Sequence, residues 1–85
     1  NYGGNMRIDK YLKVSRLIKR RTVAREACMN DRVFINGKVA KPGNTVKEGD
    51  IIEIRFGGGE IKVRVIDTPD HISKDMAQNI YEIIS

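Results

Sequence analysis

The residues with the clearest chemistry are cations crowded near the start of the chain. Residues 6–25 hold eight arginines and lysines against a single acid, Asp9, which gives this stretch a net charge of +7. Guanidinium and ammonium groups bind phosphate oxygens, and a guanidinium can hold one phosphate through two parallel hydrogen bonds. A segment of one sign within a folded pattern is typical of a binding site for a polyanion. The sequence therefore predicts a phosphate-rich partner, with an ordinary basic surface as the plainer interpretation.

Residues that could support catalysis or hold a metal ion are sparse. His71 is the only histidine and Cys28 the only cysteine, whereas a zinc site needs three or four such ligands. No base accompanies the three serines, and the glycines at 57–59 lack the rest of a phosphate-loop motif. We therefore predict a protein that is not an enzyme and that uses no cofactor or metal, with Cys28 as a small buried residue.

The charge of the whole chain conceals this local excess. The 85 residues sum to +5 with a pI near 9.6, but residues 26–85 sum to −2. A chain of this length forms one small domain with a thin core. No window reaches the ~18 apolar residues of a membrane span, and the first residues do not resemble a signal peptide. We expect a cytoplasmic monomer in which Met6 opens the domain and residues 1–5 are an appended segment.

Two short helices are expected to position the cations. Over residues 7–14, Ile8, Tyr11 and Leu12 recur at the spacing of one buried helix face, which turns the basic side chains to the opposite side. Asp9 precedes Lys13 by one turn, so we expect it to orient Lys13 or to stabilise the helix start. Residues 21–30 predict a second helix, with a cap at Thr22. Its apolar arc consists of Val23 and the small residues Ala24, Ala27 and Cys28, which permit close packing.

Beyond the second helix the hydrophobic period changes to two, which is typical of strands. Asn36-Gly37 between apolar runs predicts a tight hairpin, because a type I′ turn needs positive φ at both central residues. Residues 51–56, with Phe56 on the inner face, and residues 60–66 predict an antiparallel pair joined by the glycine turn.

A last helix is predicted after the strands. It starts near Ser73 and carries an apolar stripe of Met76, Ile80 and Ile84, which we expect to pack on the sheet. The predicted fold class is therefore α+β, with two N-terminal helices on a small, mostly antiparallel sheet and a C-terminal helix. Residues 6–56 form the main unit in this prediction, and residues 57–85 close the same domain.

Four segments carry a distinctive combination of residues. They are residues 6–12, 20–26, 32–38 and 46–52, with the sequences MRIDKYL, RRTVARE, RVFINGK and VKEGDII. In this order they resemble the RNA-binding domain family named after ribosomal small-subunit protein S-four, whose pattern is R-L-D-x-x-L, S-R-x-x-A, G-x-V-x-V-N-G and V-x-x-G-D. Arg20 replaces the family serine and Asp31 replaces a family glycine. Aspartate tolerates the left-handed backbone conformation, so we expect the second helix to end there nevertheless.

The resemblance implies a stand-alone RNA-binding protein. Residues 7–22 are similar to small bacterial members that bind the large ribosomal subunit and act in ribosome-associated quality control, where they support alanine tailing of stalled nascent chains. Heat-shock ribosome-binding members are more distantly similar. The implied partners are large-subunit rRNA, peptidyl-tRNA and a quality-control protein, and no membrane.

The charge pattern and the resemblance together define the candidate RNA-binding residues. Arg7 matches the opening arginine of the family and Arg21 the arginine of its second motif, so we expect these two to matter most. Phe34 could stack on a base or cover the outer face of the sheet. The full set is Arg7, Lys13, Arg16, Lys19, Arg20, Arg21, Thr22, Arg25, Lys38 and Lys41.

Three other interpretations stay open at this point. The chain could be the detached RNA-binding domain of an RNA-modifying enzyme such as a pseudouridine synthase. It could be a protein-interaction module that uses the stripe ending at Ile84, with the charge incidental. It could also bind an anionic membrane, although no helix combines a large apolar face with a basic one.

Overall fold

The computed structural model describes residues 6–68 and 80–84. Two helices and seven strands occur in these ranges, in the order β1 (Met6–Arg7), α1 (Ile8–Val14), α2 (Arg21–Met29), β2 (Val33–Ile35), β3 (Lys38–Val39), β4 (Thr45–Val46), β5 (Ile51–Phe56), β6 (Gly59–Val65) and β7 (Tyr81–Ile83). The predicted α+β class, with two N-terminal helices and antiparallel sheets, is confirmed. None of the helices in the described ranges is long and apolar enough to span a bilayer.

Helix α1 buries the face that the sequence predicts. Ile8, Tyr11 and Leu12 have no exposed surface, and α1 packs against α2 through Ala24 and Cys28, which are also fully buried. Small residues on α2 allow the two helices to approach closely. Val23, predicted on the same arc, is instead 47% exposed. Helix α2 begins at Arg21 without a side-chain cap, so the predicted cap at Thr22 is wrong and Thr22 lies in the first turn.

Five strands form the main sheet, in the order β3-β2-β5-β6-β7 with all neighbours antiparallel. The hairpin between β2 and β3 turns at Asn36 and Gly37, whose φ values of 52° and 85° are the positive values that the Asn-Gly pair predicts. Burial alternates along β5, with Ile52 and Ile54 inward. Phe56 was expected on this inner face but is 52% exposed, because it lies at the strand end opposite Gly59.

The C-terminal segment differs from the prediction. Residues 81–83 form strand β7, paired with β6 through Val63–Ile83 and Val65–Tyr81, so the helix predicted to extend through Ile84 is wrong over this part. Its predicted first turns, at residues 73–79, lie outside the described residues. Strand β7 satisfies the backbone of β6, which would otherwise be an open sheet edge.

Candidate nucleic-acid interface

Asp9 organises the start of the basic segment. It lies in the first turn of α1 with only 3% of its side chain exposed. Its Oδ1 accepts the backbone N–H of Lys10 at 2.8 Å and lies 3.4 Å from both Nε of Arg7 and Nη2 of Arg21. Nη2 of Arg7 also donates to Oδ2 at 3.4 Å. A buried carboxylate needs such partners, because an unpaired charge is costly to bury.

These contacts revise the expectation for Asp9. Its bond to the Lys10 amide supports the helix start, as predicted, but its charged partners are two arginines rather than Lys13. The arginines that the sequence ranked first, Arg7 and Arg21, therefore share one carboxylate. Sequence reasoning missed this cluster because Arg21 is twelve residues from Asp9 and reaches it only through the packing of α2 on α1.

Three elements hold the cluster in place. Arg7 belongs to β1, which pairs with β4 through Arg7–Thr45, and the N–H of Ile8 donates to the carbonyl of Asn44 at 2.7 Å. Arg21 is the first residue of α2. The two arginine side chains are 53% and 48% exposed, so both guanidiniums reach solvent while their common partner does not.

The other cations of residues 6–25 have no such partner. Lys10 is half-buried and the rest are exposed, and none forms an ion pair with a residue in the described ranges. This group consists of Lys10, Lys13, Arg16, Lys19, Arg20 and Arg25. The predicted site residue Thr22 is also exposed, one position after Arg21. Their charges are therefore available to bind an anion, and dissolved salt weakens this attraction.

The loop between the helices is tightly held. Ser15 is fully buried, and its Oγ donates to the carbonyl of Leu12 at 3.2 Å and accepts the N–H of Leu17 at 3.4 Å. The N–H of Ile18 donates to the carbonyl of Leu12 at 3.0 Å. Leu17 and Ile18 pack against the core and anchor this connection. Arg16 adopts a φ of 65°, an uncommon value for a residue with a side chain.

The two lysines from the hairpin region have surroundings different from those of the Asp9 cluster. Lys41 lies 3.6 Å from the carboxylate of Asp31, which has a φ of 59° and ends α2 in place of the family glycine. Lys38 lines an open groove together with Lys47 and Asp50. Within the described residues, neither Lys38 nor Lys41 hydrogen-bonds to Arg7, Asp9 or Arg21.

Phe34 is covered on one face by an arginine that sequence reasoning did not single out. The guanidinium carbon of Arg55 lies 4.4 Å from the centre of the ring, a cation–π distance. Nε of Arg55 also donates to Oε2 of Glu53 at 2.8 Å, and this bond lowers the pKa of Glu53 below its usual value. The arrangement favours the interpretation of Phe34 as cover for the outer sheet face.

Two further reactive groups among the described residues, the Cys28 thiol and the Tyr11 hydroxyl, are buried in the core. Cys28 is free and has no exposed surface, and burial raises the pKa of its thiol to about 11. A protonated, inaccessible thiol is a poor nucleophile. Burial likewise raises the pKa of Tyr11, whose hydroxyl donates to the carbonyl of Ile80 at 2.6 Å. Within residues 6–68 and 80–84, no three histidine, cysteine or acidic side chains are grouped as metal ligands.

Comparisons with known proteins agree with these features. The S4 domain model matches residues 6–52. The chain is 50% identical over 78 residues to the RQC P-site tRNA stabilizing factor of Halalkalibacterium halodurans, covering 92% of this chain and 89% of that protein. It is also 50% identical over 80 residues to the Streptococcus pneumoniae protein of the same name, with 94% and 91% covered. Among solved structures, the trimeric heat shock protein 15 of Vibrio cholerae superposes with a TM-score of 0.85 at 30% identity, over 95% of this chain and 83% of that one.

Proposed function

The chain belongs to the S4 domain family, and from that membership we propose that it binds RNA on the large ribosomal subunit without catalysing a reaction. Two relatives that are 50% identical to this chain are named RQC P-site tRNA stabilizing factor and not as enzymes, which supports P-site tRNA as a partner. We propose large-subunit rRNA as a second partner. We place it in ribosome-associated quality control of stalled nascent chains, in support of alanine tailing. In this proposal it is cytoplasmic and is a monomer away from the ribosome.

One observation carries the proposal: ion pairing is distributed unevenly over the described residues. On the strands of the main sheet, Arg55 pairs with Glu53 and Arg64 pairs with Glu82. Lys38 and Lys62 form no ion pair with a described residue there, although Lys62 lies opposite Glu53 in the register of β5 and β6. Within residues 6–25, six cations form no ion pair with a described residue, and the two that do, Arg7 and Arg21, share a single carboxylate. A net positive surface concentrated on one pair of helices attracts a polyanion, whereas paired surface charges contribute little.

The binding mode that follows is recognition of shape and backbone. Lysine and arginine contacts to phosphates supply affinity and placement but do not read the base sequence. Structured RNA is recognised mainly through its backbone, its 2′-hydroxyl groups and its shape. Arg7 and Arg21 form the centre of the proposed surface. Lys13, Arg16, Lys19, Arg20, Thr22 and Arg25 surround them, and Lys38 and Lys41 extend it from the hairpin region.

The test is a binding measurement with purified large ribosomal subunits that do or do not carry a P-site tRNA. We expect tighter binding to the subunits with tRNA, and weaker binding of an Arg7→Ala/Arg21→Ala variant to both. Arg55→Ala/Arg64→Ala is the matched control, because it removes two arginines from the sheet and leaves the helices unchanged. Equal affinity with and without tRNA would rule out the tRNA part of the proposal, and unchanged affinity of the double variant would rule out the surface.

A protein-interaction role is the second candidate. Ile83 is 59% exposed and Ile84 is 42% exposed, next to the outer edge of β7. If Ile83→Asn abolished association with the subunit while the Arg7→Ala/Arg21→Ala variant kept it, this candidate would replace the first. The reverse pattern would support RNA binding by the helices.

A further inference from the structure

We propose that Arg7 and Arg21 together bind a single phosphate group of the RNA backbone, and that Asp9 is the positioning residue that holds both guanidiniums for it. This inference rests on the proposed function, since it names the chemical group that the centre of the surface takes. It also gives Asp9, the one acid of the basic segment, a role in binding rather than in charge balance alone.

The geometry of the cluster allows one phosphate to contact both arginines. Nε of Arg7 and Nη2 of Arg21 each lie 3.4 Å from the same Oδ1 of Asp9, so these two nitrogens are no farther apart than twice that distance. Hydrogen bonds from guanidinium to phosphate oxygens are near 2.8 Å, so the N–H groups that Asp9 leaves free on two guanidiniums this close can reach oxygens of a common phosphate. Two phosphates brought to the same place would repel each other.

Enough donors remain for a ligand. A guanidinium has five N–H groups, and Asp9 engages two nitrogens of Arg7 and one of Arg21. Both arginine side chains are about half exposed, while Asp9 is 3% exposed. About half of each arginine side chain is therefore open to an approaching phosphate, while the carboxylate, which would repel it, is buried.

Holding the arginines in advance favours binding, because long side chains lose rotamer freedom when they are fixed by a ligand. The Asp9 contacts fix part of that conformation before RNA arrives. The same carboxylate lowers the local positive charge, which by itself weakens attraction for phosphate. If Asp9 acts by positioning the arginines, removing its negative charge should weaken RNA binding. If it acts only through its charge, the same change should strengthen RNA binding.

The first experiment uses this opposition. Affinity for large ribosomal subunits carrying P-site tRNA is measured for Asp9→Asn and for Glu26→Gln, an exposed residue of α2 whose change adds the same charge. We expect Asp9→Asn to bind about tenfold more weakly, the effect of one charge-assisted hydrogen bond, and Glu26→Gln to bind equally or slightly more tightly. Urea melts give the folded fraction for the comparison. Tighter binding of folded Asp9→Asn would overturn the positioning role.

The second experiment counts phosphates and does not depend on the stability of Asp9 variants. The slope of log affinity against log salt falls by about 0.7–0.9 for each phosphate no longer neutralised. If Arg7 and Arg21 share one phosphate, Arg7→Ala and Arg21→Ala each leave the slope nearly unchanged, because the other arginine still neutralises it. The double variant then loses one such step. A full step lost in each single variant, and two in the double, would overturn the shared site.

These outcomes separate the inference from the proposed function. Wild-type affinity of the double variant would reject the RNA-binding surface itself. Weak binding by the double variant, with separate slope losses or with tighter binding by Asp9→Asn, would reject only the shared phosphate site.

Discussion

Arg21, the first residue of α2, donates a hydrogen bond of 3.4 Å to the carboxylate of Asp9. Asp9 lies in the first turn of α1. The contact joins two helices whose close packing depends on Ala24 and Cys28, so the hydrophobic core and the basic surface meet at this point. Since Asp9 also pairs with Arg7, the packing of α2 on α1 decides where two guanidiniums stand. Changes to the helix interface should therefore affect RNA binding as well as stability.

Removing Arg21 tests the centre of the surface. We expect Arg21→Ala to weaken binding to large ribosomal subunits by about 1–3 kcal/mol, the range for loss of a charge-assisted contact to phosphate. Arg64→Ala should change the affinity far less, because Arg64 pairs with Glu82 at the sheet edge. The two affinities are compared at one salt concentration, and equal losses would show that only total charge matters.

Salt concentration tests how many phosphates the surface neutralises. With about four to seven phosphates engaged, the log–log slope of affinity against salt should have a magnitude of about 3–6. The measurement is a binding titration repeated from low to moderate salt. A flat response would indicate an apolar interface, for which the exposed Ile83 and Ile84 are the natural candidates.

The elements whose signals are local could be predicted from the sequence. Helix α1 follows from the spacing of Ile8, Tyr11 and Leu12, and the hairpin follows from Asn36-Gly37, because positive φ is needed at that turn and both residues adopt it. The basic character of the helix pair also follows from residue types alone. Local rules worked here because the deciding interactions lie within a few residues of each other.

Features decided by distant partners could not be predicted in this way. Ile80 and Ile84 fit a helix by spacing, but residues 81–83 pair instead with the open edge of β6, which no local pattern reveals. From local spacing, the predicted partner of Asp9 was Lys13, one helical turn away. The packing of α2 on α1 instead brings Arg21 to the Asp9 carboxylate. Strand β1 has only two residues and forms because β4 lies beside it, so it shows no periodic signal.

Tyr11 ties the C-terminal segment to α1, so its hydroxyl should contribute to stability. Tyr11→Phe removes the bond to the carbonyl of Ile80, which still accepts the N–H of Ile66 at 2.8 Å. We expect a loss of about 0.5–1.5 kcal/mol in the free energy of unfolding, measured by urea melts. Tyr81→Phe is the control, because the Tyr81 hydroxyl has no hydrogen-bond partner within the described ranges. Equal losses in both variants would argue against a role for the Ile80 contact.

Alkaline pH should destabilise the fold because two weakly acidic side chains, the thiol of Cys28 and the hydroxyl of Tyr11, are buried. Burial raises the pKa of Cys28 from about 9.0 to about 11, so the folded state keeps a proton that the unfolded chain releases. This stabilising contribution is complete below about pH 9 and is lost as pH rises towards 11. Tyr11, whose pKa is also raised, acts in the same direction from about pH 10 upward. Urea melts between pH 7 and 11 should show a shallower decline for Cys28→Ala than for the wild type, and parallel declines would contradict the prediction.

Replacing Arg16 with glycine should raise the stability of the fold and weaken its binding to RNA. Its φ of 65° is strained for a residue with a side chain and natural for glycine. We expect Arg16→Gly to raise the free energy of unfolding by about 0.5–1 kcal/mol, since relief of the strain exceeds the entropic cost of glycine. Because the variant also loses an exposed, unpaired guanidinium, it should bind large ribosomal subunits more weakly.

The matched variant is Arg16→Ala, which removes the same charge but keeps a Cβ at the strained position. It should match Arg16→Gly in weakened binding while its stability stays within about 0.5 kcal/mol of the wild type. Urea melts and binding titrations on the three proteins give both quantities. If the glycine variant were no more stable than the alanine variant, the loop held by Ser15 would tolerate this backbone conformation without strain; if both kept full affinity, Arg16 would lie outside the RNA-binding surface.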